Sequence, residues 1–259
     1  MLGWLIRGLR QGRITTRYPR GEERPPQGFR GQVEVVDITN GTGDLAALCP
    51  TGAISVDPRG HVSLDRGRCI LCGECVLAAP HRFRFAPQYE TAARSRAALV
   101  VSGDEASLAP PPREALGVVT PALRRSIHVR HIDCGSDGTE EWEIQALWNP
   151  YYDIQRLGFF LTNAPRHADI LLVTGGVTAP MRAPLERTWE VMPSPKALIA
   201  VGTDACSGGL AAETGTIAGG VDHVLPVDVY IPGSPPAPIA IMHGLLAAVG
   251  LLDVAEAVA

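Results

Sequence analysis

The sequence predicts two successive folds, an α+β domain followed by an α/β domain with a doubly wound parallel sheet. The first part contains a run of three cysteines close to a hairpin pattern, in which residues 53–56 and 61–64 flank an Asp-Pro-Arg-Gly turn. The later part contains two almost continuously apolar runs, 168–174 and 196–202, as expected for strands buried on both faces of a parallel sheet. Residues 181–192 between them supply a crossover helix.

The composition limits the classes of function. The 259 residues are 46% hydrophobic and 19% charged, with a formal net charge of −4. This length and apolar content suffice for one or two globular cores. The mild acidity argues against nucleic acid as a partner. No apolar run reaches the roughly 20 residues that span a bilayer, and the cysteine clustering indicates a reducing compartment.

The chain divides into four predicted segments. Residues 1–31 are an amphipathic helix, over 1–13, and an extended arm rich in proline and charge. Residues 32–95 are the α+β domain, 96–117 a linker and 118–259 the α/β domain. The helix either lies on a membrane surface or docks on a membrane subunit, or it packs into a core. Further strands are predicted at 32–36, 97–101 and 126–133, and further helices at 140–147 and 239–252.

The cysteines predict an iron–sulfur cluster. Cys69, Cys72 and Cys75 have the spacing C-x2-C-x2-C, which brings three thiolates to one side of a tight loop. In two-cluster ferredoxins, the cysteine before a proline in one run ligates the cluster of the other run. Cys49 precedes Pro50 and is therefore the expected fourth ligand. The positions that would ligate a second cluster hold threonine, threonine, leucine and alanine. The sequence thus predicts a ferredoxin-like domain with one [4Fe–4S] cluster bound by Cys49, Cys69, Cys72 and Cys75.

Two other uses of these cysteines are less consistent with the sequence. Structural zinc usually takes paired C-x2-C knuckles, and a third cysteine two residues further on would strain a tetrahedral site. Disulfides suit secreted chains, but the sequence shows neither a signal peptide nor a pattern of paired cysteines.

A first resemblance covers roughly the first 85 residues. The motif R-G-L-R-x-G-x-x-T-x-x-Y-P, then F-R-G and then C-P-T-G-A-I, resembles the polyferredoxin subunits of formate hydrogenlyase and their relatives in respiratory complex I. Those relatives carry two clusters, whereas this chain keeps the ligands of one.

A second resemblance covers about residues 128–252. Residues 149–158 (N-P-x-Y-D-I-x-R-L-G), 165–175 (P-R-H-A-D-I-L-L-V-T-G) and 227–236 (V-D-V-Y-I-P-G-x-P-P) resemble the family of the hydrogenase small subunit and the 20 kDa subunit of complex I, above all its forms in membrane-bound, energy-converting hydrogenases. The resemblance implies a flavodoxin-like fold and one [4Fe–4S] cluster held against a large subunit. That large subunit carries the nickel–iron site in hydrogenases or the quinone site in complex I.

The cluster site implied by this second resemblance is degenerate. Laid on this chain, the four cysteine positions become Asp137, Glu140, Cys206 and Ser234, so that one thiolate remains. Sulfide-rich iron is soft and prefers thiolate to oxygen ligands. We therefore expect no conventional cluster there, and a pocket filled by water, a cation or a partner's arginine. Cys134 is either a displaced ligand or a small buried residue at a strand end. In the first case it could form a mononuclear metal site with the acids.

Together these features predict an electron-transfer and scaffold subunit of a membrane-bound complex related to group 4 NiFe hydrogenases, formate hydrogenlyase and respiratory complex I. It would be a non-catalytic subunit of an oxidoreductase complex. Its implied partners are a large subunit and membrane subunits, in a hetero-oligomer peripheral to the cytoplasmic face of the inner membrane, without nucleic acid. One alternative is a purely structural subunit of a complex without hydrogenase activity. Another is an active subunit with an oxygen-ligated second cluster.

Overall fold

The computed structural model describes residues 3–39, 41–102, 126–212 and 214–252. The predicted linker from 103 onward and the predicted start of the second domain at 118 lie outside these residues. Within the described ranges, no helix has the length and apolar character needed to cross a membrane.

The helices are α1 Gly3–Gln11, α2 Gly43–Ala47, α3 Glu74–Ala78, α4 Thr139–Ala146, α5 Ala179–Val191, α6 Gly202–Ser207 and α7 Pro238–Ala248. The strands are β1 Gln32–Val35, β2 Ile54–Val56, β3 Val62–Asp65, β4 Phe83–Ala86, β5 Val100–Ser102, β6 Ile127–Asp133, β7 Phe159–Leu161, β8 Ile170–Thr174, β9 Ala197–Val201 and β10 Val229–Ile231.

Two small antiparallel sheets form the first part of the molecule. Strands β1 and β4 pair with each other, and β2, β3 and β5 form the second sheet in that order. The predicted hairpin is confirmed, because Ile54 pairs with Leu64 and Val56 with Val62. The inward side chains of β3 alternate with outward ones, and they pack with Val33 and Phe83 into a separate apolar cluster. Strand β5, which pairs with β3, lies inside the range predicted as a linker.

A five-stranded parallel sheet forms the second part, in the order β7-β6-β8-β9-β10. The predicted doubly wound parallel sheet is confirmed, and its strand order is the flavodoxin-like one. Every residue of β8 and β9 is buried. One face of the sheet packs against α4 and α7, and the other face packs against α5. The chain reverses its winding between β6 and β8, and the carboxyl ends of these strands form the crevice in which such folds place their sites.

The predicted arm lies against the parallel-sheet domain. The Thr16 amide donates to the Tyr151 carbonyl at 2.8 Å, and Arg156 donates to the Tyr18 carbonyl. Tyr18 is only 4% exposed and belongs to the core that α7 covers. In contrast, all described side chains of α1 beyond Leu5 are exposed. The arm is therefore fixed to the second domain by residues that follow the helix.

Candidate cluster site and the substituted second site

The four predicted cysteines line one cavity of the first domain. Cys49 follows α2, Cys69 and Cys72 stand in the loop between β3 and α3, and Cys75 lies on α3. Cys75 is buried and Cys72 is exposed, so the cavity has one face near solvent. All six cysteines of the chain are free thiols. In the part of the chain that the structure describes, no three His, Cys, Asp or Glu side chains are gathered so as to hold a single metal ion.

The loop that carries these cysteines depends on two residues with positive φ. Leu71 has a φ of 57° and Gly73 a φ of 90°. A side chain at position 73 would be strained, and its Cβ would approach the Phe85 ring to 3.2 Å. This tight turn lets Cys72 and Cys75 face the same cavity across the start of α3.

Backbone amides and burial determine the protonation of the cysteine sulfur atoms. The Ala53 amide donates to the Cys49 Sγ at 3.2 Å. Burial raises the pKa of Cys69 to about 12, the amide of Leu71 lowers it by hydrogen bonding, and the other three cysteines raise it by repulsion. Burial also raises the pKa of Cys75, with repulsion from Cys72 next. Without a cation in the cavity, the thiols of Cys69 and Cys75 are protonated at neutral pH.

Two carbonyl groups of the same loop accept hydrogen bonds from a side chain outside the loop. Arg30 donates from Nη1 to the carbonyls of Leu71 and Cys72, at 3.1 and 3.0 Å. Its guanidinium lies over the Phe85 ring, 5.0 Å from the centroid. The F-R-G motif therefore supplies the cation that orients the cysteine loop.

The second predicted site lies where strands of the parallel sheet end. Asp137 and Glu140 follow β6, and Asp204 is on α6 directly after β9. Glu140 is 2% exposed, and its carboxylate occupies space that Gly202 leaves open: a Cβ there would lie 2.5 Å from Oε1. Burial raises the pKa of Glu140 to about 7, and Asp204 and Asp137 add to the shift by repulsion. Burial raises the pKa of Asp204 as well. Hydrogen bonds from Thr139 lower the pKa of Asp137.

Cys206 does not join this group, and the structure corrects the predicted set at that position. Successive helical residues are about 100° apart, so Asp204 and Cys206 on α6 point in nearly opposite directions. The Cys206 Sγ lies 4.0 Å from the Ala200 carbonyl. The charged side chain that acts on it most strongly is that of Arg96, and not a carboxylate of this group. Burial raises its pKa to about 12. Asp204, which the sequence reasoning missed, therefore stands in the place assigned to Cys206.

The remaining predicted residues lie nearby. Ser234 is exposed in the loop after β10, and this loop is joined to α6 because the Thr203 amide donates to the Gly233 carbonyl at 2.7 Å. Cys134 is fully buried at the end of β6, and burial raises its pKa to about 12. Its position is that of a small core residue and not of a ligand. The two sites are neighbours, since the Thr203 hydroxyl also lies 3.0 Å from the Cys69 carbonyl.

Comparisons with known proteins agree with the parallel-sheet domain. The family model described as NADH ubiquinone oxidoreductase, 20 Kd subunit, matches residues 137–248. Formate hydrogenlyase subunit 7 of Escherichia coli (strain K12) is 45% identical over 131 residues, which cover 51% of this chain and 51% of that protein. The chain thus spans about half the length of that relative.

Two archaeal relatives are matched over most of their length. An uncharacterized protein of Methanocaldococcus jannaschii is 46% identical over 123 residues, covering 48% of this chain and 82% of that protein. The probable membrane-bound hydrogenase subunit mbhJ of Pyrococcus furiosus is 42% identical over 126 residues, covering 49% and 75%. In the solved structure of the membrane-bound sulfane sulfur reductase, an archaeal respiratory membrane complex, one chain is 30% identical with a TM-score of 0.45, covering 52% of this chain and 75% of that one.

The sheet order, the family model and the two archaeal relatives define an oxidoreductase subunit of the hydrogenase and complex I type. The chain belongs to the NADH ubiquinone oxidoreductase 20 kDa subunit family.

The buried carboxylate predicts a pH-dependent stability. The pKa of Glu140 is raised from 4.5 to about 7, so folding favours its protonated form. The unfolded chain loses this proton first, and stability therefore falls as pH rises from about 4.5 through about 7. Glu140→Gln should abolish this decrease in the free energy of unfolding, which amounts to up to about 3 kcal/mol. Urea unfolding near pH 5 and near pH 8 measures the difference. The matched control is the exposed Glu186→Gln. Equal pH dependence of Glu140→Gln and the wild type would contradict the assignment.

Proposed function

We propose that this protein is an electron-transfer and scaffold subunit of a membrane-bound oxidoreductase complex, with one [4Fe–4S] cluster in a ferredoxin-like first domain and none in its 20 kDa-type domain. The observation that carries the proposal is the single cavity lined by Cys49, Cys69, Cys72 and Cys75, in a chain of this family. When bound, such a cluster supplies one-electron transfer. The chain's own residues hold the cluster, orient it and dock the subunit.

Two observations fit a cubane. Four thiols line the cavity, which is the ligand number of a [4Fe–4S] cluster. The amides of Ala53 and Leu71 are directed at the Cys49 and Cys69 sulfur atoms, where they stabilise the thiolate form that iron needs. These features support the cluster.

The substituted site supports the absence of a second cluster. Its three grouped side chains are carboxylates, and the nearby thiols of Cys134 and Cys206 are buried in the apolar core instead. Oxygen ligands are poor substitutes for thiolate on sulfide-rich iron. The raised pKa of Glu140 to about 7 indicates a pocket that keeps a proton near neutral pH. We infer that the large subunit that would face this pocket receives no cluster from this domain.

The partners follow from the relatives. Formate hydrogenlyase subunit 7 and the Pyrococcus subunit belong, by name, to a formate hydrogenlyase and a membrane-bound hydrogenase. We infer a hetero-oligomer in which the 20 kDa-type domain contacts a large subunit, at the cytoplasmic face of the inner membrane. The alternative of a purely structural subunit is favoured by one observation, the loss of thiolates at the second site.

The exposed helix α1 supports peripheral membrane attachment. Its Ile6 and Leu9 are 48% and 77% exposed, and no acidic residue occurs before Glu22. Burial lowers the pKa of Arg156 and repulsion from Arg13 lowers it further, so cationic groups are crowded at the base of the helix. A cationic, amphipathic helix of this kind binds anionic lipid surfaces.

Iron content tests the cluster assignment. Purified anaerobically, the wild-type protein should carry about four irons and four sulfides per chain. Cys49→Ala should lose them as completely as Cys72→Ala, because both remove one corner ligand. Cys206→Ala and Cys134→Ala are the matched controls and should keep the iron, since neither sulfur lines the cavity. About eight irons per chain, or loss of iron in Cys206→Ala, would contradict the assignment of one cluster to the four cysteines.

Membrane attachment is tested by a deletion that spares the arm. Removal of residues 1–13 should leave iron content and stability intact, because Tyr18 and Thr16 stay in place, yet release the protein from the membrane fraction. Leu9→Ser should weaken binding to phosphatidylglycerol vesicles by about ten- to a hundredfold, since one apolar side chain contributes roughly 1.5–3 kcal/mol on burial. Leu210→Ser, at another exposed leucine, should not. Full recovery of the truncated protein with membranes would show that α1 is not the anchor.

A further inference from the structure

Three carbonyl groups of the cysteine loop, those of Cys69, Leu71 and Cys72, accept hydrogen bonds from side chains outside the loop. Arg30 bonds those of Leu71 and Cys72, as described above. The third, that of Cys69, lies 3.0 Å from the Thr203 hydroxyl of α6, in the other domain. Peptide units are planar and trans, so the amide N–H that follows each carbonyl points the opposite way. Bonding all three carbonyls from outside thus directs the next amides away from Arg30 and Thr203.

Thr203 is itself held firmly. It is fully buried, and its amide donates to the Gly233 carbonyl at 2.7 Å. Its hydroxyl lies 3.1 Å from the same Gly233 carbonyl and 3.0 Å from that of Cys69. Because a hydroxyl has one proton, the two carbonyls share it in a three-centre hydrogen bond. The Gly233 carbonyl also accepts from the Thr203 amide, whereas among the described residues no second donor reaches the Cys69 carbonyl.

A second contact fixes the other end of the same turn. Arg96 donates from both Nη atoms to the Asp65 carboxylate, at 2.6 and 2.5 Å. Its Nε donates to the Cys206 carbonyl of α6 at 3.1 Å. Asp65 ends β3, four residues before Cys69. Helix α6 is therefore joined to both ends of residues 65–69. Arg96 links it to Asp65, and Thr203 links it to Cys69.

We propose that α6 of the 20 kDa-type domain positions the Cys69 corner of the cluster, with Thr203 as the positioning residue and Arg96 as its support. This rests on the proposed function, because it requires the cluster in the first domain. The elements that resemble the ligand-bearing loops of the second site, at Cys206 and at Gly233–Ser234, here hold the loop of the first site. By fixing the Cys69 carbonyl, Thr203 holds the peptide unit of Cys69 and Ile70, which both line the cavity, next to the Leu71 amide that hydrogen-bonds the Cys69 sulfur.

The inference has a redox consequence. Hydrogen bonds to cluster sulfurs favour the reduced, more negative state and so raise the reduction potential. Loss of the Thr203 hydroxyl frees the Cys69 peptide to rotate and weakens that support. The cluster should then be harder to reduce and easier to extract.

The test compares Thr203→Val, which keeps the side-chain shape and removes the hydroxyl, with Thr203→Ser, which keeps the hydroxyl. The matched control is Thr188→Val, whose hydroxyl also bonds a carbonyl, that of Pro184, on the exposed helix α5. The measurements are iron per chain, the rate of iron release to a chelator, and the midpoint potential followed by electron paramagnetic resonance. Thr203→Val should release iron about two- to tenfold faster, from the loss of one hydrogen bond, and its potential should shift negative. Thr203→Ser and Thr188→Val should match the wild type.

Each outcome decides the inference. If Thr203→Val matches the wild type in release rate and potential while both carry about four irons, α6 does not position the cluster. If Thr203→Val does not fold, Arg96→Lys, which keeps the charge and loses the forked contact, is measured in its place with the same expectation. A wild-type protein without iron would overturn the proposed function itself, and the inference with it.

Discussion

The contact between α6 and the cysteine loop is the interaction on which the arrangement of the two sites depends. It combines a partly buried ion pair, Arg96 with Asp65, and a shared hydroxyl proton at Thr203. Removing one partner of a buried pair leaves an uncompensated charge, which costs far more than the pair contributes. The Arg96 guanidinium held by this pair also donates to the Cys206 carbonyl of α6 and so joins the two domains. Because the contacts of Arg96 and Thr203 between the domains end on the main-chain carbonyls of Cys206 and Cys69, they constrain the position of the backbone and not the identity of the cysteines.

The substituted site shows what the family fold keeps when its ligands change. The crevice at the carboxyl ends of β6 and β9 persists, with Gly202 still leaving space opposite Glu140. Carboxylates fill it, and burial raises the pKa of two of them. Carboxylates buried together in this way resist full ionisation. Its fold is preserved because the sheet and its glycine turns, and not the ligands, form the core.

Much of the fold could be predicted from the sequence. The runs of β8 and β9 are apolar on both faces, which only a buried parallel sheet explains. The hairpin of β2 and β3 followed from alternation around a turn. In contrast, β7 and β10 have three residues each and show no period. The sequence also did not predict that the arm binds the second domain. Nothing in the residues around Thr16 or Tyr18 indicates their hydrogen bonds to Tyr151 and Arg156, which are far away along the chain.

The four cysteines that line the cavity were predictable from the sequence. The spacing of Cys69, Cys72 and Cys75 brings them to one side of a tight loop, and the Cys-Pro pattern of two-cluster ferredoxins indicates Cys49. The second site was predictable only in part. Asp204 and Cys206 are two residues apart, and choosing between them requires the start of α6 and its helical phase. Thr203 and Arg96 carried no motif, since their role arises only where two domains meet.

The most direct test of the central claim is a map of anomalous scattering at the iron edge, recorded on the anaerobically purified protein or its complex. The account predicts one iron cluster in this chain, bounded by Cys49, Cys69, Cys72 and Cys75. Beside Asp137, Glu140, Asp204 and Ser234 it predicts only light atoms. Iron density among those oxygen ligands, or its absence from the cysteine cavity, would contradict it.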